Sequence, residues 1–151
     1  MQISKYIKYL QHGEEELATT FKTASEFHVH EPDVHEMCKL FSSWSLAHVQ
    51  NLTPMLTRYG EGEENDPYRI NYSWQNLSTA SLRLLSDLQL LSLMAKDVQI
   101  GWTVLQQCAK ALRDEQLKLS CMQFSAQTKQ QEEWLIMKIK HSAPQILTVA
   151  T

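Results

Sequence analysis

The chain has 151 residues, of which 43% are hydrophobic, enough for one domain with a substantial core of its own. Its 14 basic and 17 acidic residues leave a formal net charge of −3, which gives no basis for nucleic-acid binding, and no apolar run approaches the ~20 residues of a membrane span. Only four glycines and four prolines accompany abundant Leu, Gln, Glu, Lys and Ala, a mixture that favours helix and offers neither a phosphate-cradling glycine loop nor a Gly-x-Ser-x-Gly nucleophile turn.

The first element is predicted over about residues 4–27. Ile3, Ile7, Leu10, Leu17, Phe21, Ala24 and His28 repeat at spacings of four and three, and Glu14 fills the one remaining place in the row. A carboxylate there must be paired, protonated or metal-bound, because an unpaired buried charge is too costly. The opening MQISKYIKYL lacks the apolar core of a signal peptide and reads as mature helix.

Pro32 breaks the pattern, and the second helix is predicted over about 33–59, with Asp33 and Glu36 as its capping box. Its expected seam is Val34, Met37, Phe41, Trp44, His48, Asn51 and Met55, with Pro54 kinking or ending it before the Tyr59-Gly60 stop. Residues 60–78 then carry GEGEEND, Pro67 and the alternating Tyr68, Ile70, Tyr72 and Trp74. They read as a long crossover along the bundle, with Trp74 anchoring it to the bundle or to a second subunit.

A third helix is predicted over about 79–113, with Leu84, Leu88, Leu91, Ala95, Val98, Trp102, Leu105, Ala109 and Leu112 as its row. Asp114 caps a fourth, over about 114–141, carrying Leu117, Cys121, Phe124, Trp134, Leu135 and Ile139, with Ser125, Thr128 and Glu132 along one row. Pro144 is expected to end it, leaving a short apolar tail. Residues 1–151 therefore read as a single all-α four-helix bundle, two antiparallel hairpins joined by a long crossover. Trp44, Trp102 and Trp134, and Met37, Met55, Met94, Met122 and Met137, read as packing.

Antiparallel neighbours allow heights to be read from index sums. With the first turn centred near Glu31, Glu14 is level with His48; with the second near Asp114, Glu132 is level with Asp97 and Val98. The long crossover brings both pairs to one middle layer. This arrangement resembles the ferritin-like superfamily, whose di-iron members place a Glu on each of two helices and Glu-x-x-His on each of the other two. Glu14 matches the helix 1 carboxylate and His48 the helix 2 histidine. Ser45 stands where the bridging Glu belongs, Val98 holds the helix 3 level with Asp97 beside it, and Leu135 stands where the second His would follow Glu132.

The resemblance thus implies a divergent member with an incomplete site. One expectation is a non-catalytic structural or interaction bundle, free of cofactor, whose Glu14 and His48 form a buried polar layer. The other is a metalloprotein holding Fe, Mn or Zn at Glu14, His48, Glu132 and Asp97, in redox or metal handling. His28, His30, Glu31, Asp33, His35, Glu36 and Cys38 form the densest cluster of ligand-type residues, but their spacing is no zinc pattern, and a solvated hairpin with capping acids is expected. The odd, dispersed Cys38, Cys108 and Cys121 point to reduced thiols in a cytoplasm. The bundle is expected to be a homodimer without nucleic-acid or membrane partners.

Overall fold

The computed structural model describes residues 2–60 and 79–149. Four helices and no strand occur among the described residues: α1 (Ile3–Phe27), α2 (Pro32–Tyr59), α3 (Ala80–Ala111) and α4 (Glu115–Thr148). Pro32 opens α2 at its first position, where the missing N–H costs nothing, so the helix starts one residue ahead of the expected capping box. Asp33 bonds the adjacent Val34 N (2.9 Å) instead of capping a later amide. Thr79 and Asp114 cap α3 and α4, accepting from Leu82 N (3.2 Å) and Leu117 N (3.0 Å).

Neither internal proline stops its helix. Pro54 lies inside α2, which runs on to Gly60, a C-cap at φ +89°. Pro144 lies inside α4, which continues to Thr148 because the turns around the proline are held by packing: Ser142 is buried and Ile146 packs on the core. The expected stop at Pro144 is therefore corrected.

The helices form two antiparallel hairpins, α1 on α2 and α3 on α4, which are also the most extensive packings. His28 at the end of α1 meets Asp87 early in α3, and Ile3 at the start of α1 shares a groove with Cys108 and Leu112 at the end of α3. Asp33 meets Lys138, and Arg58 meets Asp114, so α2 and α4 are antiparallel as well. The end of α2 and the start of α3 therefore lie at opposite ends of the bundle. The connection expected to carry Tyr68, Ile70, Tyr72 and Trp74 lies outside the described residues.

Each helix buries one row at spacings of four and three. In α1 that row holds Glu14 between Leu10 and Leu17, as the spacing predicts. In α3 it runs from Leu84 to Ala109, while Leu112 caps the helix and is exposed. In α2 the buried row is Val34, Cys38, Phe41, Ser45, His48, Leu52 and Met55, so Cys38, Ser45 and Leu52 replace the expected Met37, Trp44 and Asn51. In α4 it is Leu117, Cys121, Phe124, Thr128, Gln131, Leu135, Lys138 and Ser142. Gln131, not Glu132, holds the inward place. Met122 and Met137 are exposed rather than packed, and Trp44 and Trp134 are only partly buried against Phe41.

Candidate functional site

At half height the four rows meet in a layer that mixes polar and aromatic groups. Glu14 and His48 are both fully buried, and Glu14 Oε2 contacts His48 Nδ1 directly. On its other side the imidazole donates from Nε2 to Gln127 Oε1 on α4 (2.7 Å). The His48 ring lies edge-on to Trp102 (centroids 5.8 Å apart) and 4.7 Å from Phe124, so α3 and α4 give it an aromatic wall. Below it Gln131 Nε2 donates to the Phe41 carbonyl (3.1 Å) and to Ser45 Oγ (3.2 Å).

Burial pushes the Glu14 carboxyl above its ordinary range, and the hydrogen bond and charge of His48 offset this only in part. In a dry interior an ion pair loses the hydration of both members, which favours a pair that carries its proton as O–H···Nδ1. Glu14 Oε1 is buried without a hydrogen-bond partner among the described residues. It is the one unanswered acceptor on the pair.

The structure brings together two of the four residues expected to ligate a metal. Glu132 sits one residue off the inward row, half-buried on the flank of α4. Its carboxyl is raised by burial, with the Lys96 and Lys129 charges opposing. Asp97 is half-buried on α3, and its charge is felt at Tyr6, whose hydroxyl is raised by burial first and then by Tyr9 and Asp97. Among the described residues no three His, Cys, Asp or Glu side chains stand close enough to hold a metal ion.

The histidine-rich hairpin exposes His30, Glu31, Asp33 and Glu36 to solvent as expected, but His28 and Cys38 are buried, and its bonded members go to separate partners. His28 is buried and its Nε2 lies 2.6 Å from Asp87 Oδ2, with Arg83 Nε 3.6 Å from the same oxygen and the Arg83 guanidinium 3.9 Å over the Phe27 ring. His35 Nδ1 donates to the Ser25 carbonyl (2.8 Å), and Ser25 Oγ donates to the His35 carbonyl (2.7 Å). Asp33 receives Lys138 Nζ at 2.7 Å. Cys38 is buried and its thiol is pushed up to about 12, chiefly by burial.

The His28–Asp87 pair escaped the sequence reading, although its signal was of the same kind as that of Glu14. Asp87 falls within the apolar run of Leu84, Leu88 and Leu91, where an acid needs an interior partner. The chain matches no protein-family model, no curated protein and no solved structure.

Proposed function

We propose that the chain is a non-catalytic helical-bundle interaction module, a divergent relative of the ferritin-like proteins, in which a polar layer stands where a metal centre would be. It acts as a homodimer in a reducing, cytoplasmic setting. One observation carries this reading: His48 spends both ring nitrogens on protein partners, Glu14 and Gln127, leaving no lone pair for a metal. Where a bridging carboxylate would stand, Ser45 Oγ accepts from the Gln131 amide, whose own Oε1 has no partner among the described residues. The three free cysteines agree with the reducing setting.

The unpartnered Glu14 Oε1 is the atom that favours the second reading, one ion held by a reduced Glu/His site. Elemental analysis of untagged protein separates the two, repeated on Glu14→Ala and His48→Ala. Metal-free native protein that stays folded and monodisperse is the expected result. Stoichiometric metal, lost in both variants, would overturn the proposal.

A further inference from the structure

Between α2 and α4 the bundle presents a face whose middle, between an ion pair at each end, carries no charged side chain. At the two ends of this face Asp33 and Arg58 of α2 reach across to Lys138 (2.7 Å) and Asp114. Stepping by seven from Asp33 gives Leu40, Ala47 and Pro54; stepping back from Arg58 gives Asn51 and Trp44. On α4 the same steps from Gln116, which accepts from Arg58 (2.8 Å), give Gln123 and Gln130. Leu40, Ala47, Asn51, Gln123 and Gln130 are exposed. The half-buried Trp44 and Trp134, both against Phe41, lie between the two rows.

We infer that this face is where a second copy of the chain docks, about a two-fold axis. The proposal rests on the reading of the bundle as a homodimeric interaction module and locates its interface. An uncharged centre closed at both ends by internally neutralised ion pairs has the layout of an interface core with a polar rim. Asn and Gln each carry donors and an acceptor, so a row of them is complementary to its own image, as an isologous contact requires. The outer sides of α1 and α4 do not share this property. α1 exposes Glu15, Lys22 and Glu26, and α4 exposes Lys129, Glu133 and Lys140 on its far side. From Asp33 to Arg58 the face is ~38 Å long and, across two helices, ~20 Å wide. Its ~750 Å² comes close to the ~800 Å² per partner of a standard interface.

The test is sedimentation equilibrium of the full chain over a hundredfold concentration range. A dimer is expected for the native protein and for Gln107→Lys, a charge placed on the exposed side of α3. Ala47→Lys and Gln123→Lys each enter a two-fold interface twice, and should weaken dimerisation by on the order of a hundredfold while far-UV circular dichroism and the thermal midpoint of the monomer stay unchanged. A native protein that remains monomeric throughout the range would overturn the proposal, as would Lys variants that dimerise as tightly as the native chain. Mass is read independently of metal content, so this proposal can fail while the metal-free polar layer stands, and the reverse.

Discussion

His28, at the end of α1, and Asp87, early in α3, form a buried pair 2.6 Å apart at the end of the bundle where the α1–α2 hairpin turns. The pair ties the first hairpin to the second where no covalent turn does so. Removing one member leaves the other buried without its partner, and Asp87 Oδ1 already has no hydrogen bond among the described residues. Asp87→Ala should therefore lower unfolding free energy by about 3 kcal/mol, the cost of stranding a buried partner. Urea denaturation of both single variants and of His28→Ala/Asp87→Ala would check it: the double variant should lose clearly less than the sum. Strict additivity would mean that the two groups do not stabilise each other.

Gly101 and Gly13 make opposite predictions from one helix contact. A Cβ at Gly101 would stand 2.7 Å from Leu10 Cδ1, and Leu10 is buried in a filled core, while a Cβ at Gly13 would meet Val98 at an ordinary 3.5 Å. Alanine in place of glycine favours a helix by about 1 kcal/mol, and overpacking costs about 1–3 kcal/mol. Gly13→Ala should stabilise by roughly 0.5–1 kcal/mol, and Gly101→Ala should destabilise by about 1 kcal/mol. Denaturant midpoints decide it, and a stabilised Gly101→Ala would mean that Leu10 moves aside freely.

The raised Glu14 carboxyl gives stability a pH dependence of definite sign. The fold holds this carboxyl above its ordinary range, so below its unfolded value both states are protonated and no penalty applies. As pH rises between the unfolded and the folded value, the unfolded chain releases a proton that the fold retains, and stability falls. Glu14→Gln cannot titrate and should show a flatter profile across that window, gaining on the native chain as pH rises. Urea midpoints at successive pH values measure this; parallel profiles for the two proteins would refute a raised Glu14.

Thiol reactivity should divide the cysteines. Burial pushes Cys38 and Cys121 up to about 12, whereas Cys108 is half-exposed in the groove beside Ile3 and Tyr6. A thiol needs its thiolate to react, and near pH 8 a group at about 12 holds only ~10⁻⁴ of it. Native protein should consume one equivalent of a disulfide reagent quickly, and three after unfolding. Rapid loss of all three in the native state would mean that the core opens easily.

The heptad row of α1 was legible residue by residue, Glu14 included, because a helix on one side of a core repeats its buried face every 3.5 residues. So were the four helices, the hairpin pairing and the level that joins Glu14 to His48, since antiparallel neighbours turn sequence number into height. Rotation about each axis was not legible. Along α2 the rows through Met37, Trp44 and Asn51 and through Cys38, Ser45 and Leu52 both keep a heptad rhythm, and only the neighbours chose the second. On α4 the same ambiguity separates Glu132 from Gln131, and that one-residue turn removes a carboxylate from the layer and puts an amide there. Periodicity by itself determined which residues rise together along each helix. The packing of four helices decided which of them face inward, because that choice depends on the volumes and hydrogen bonds offered by the helices opposite.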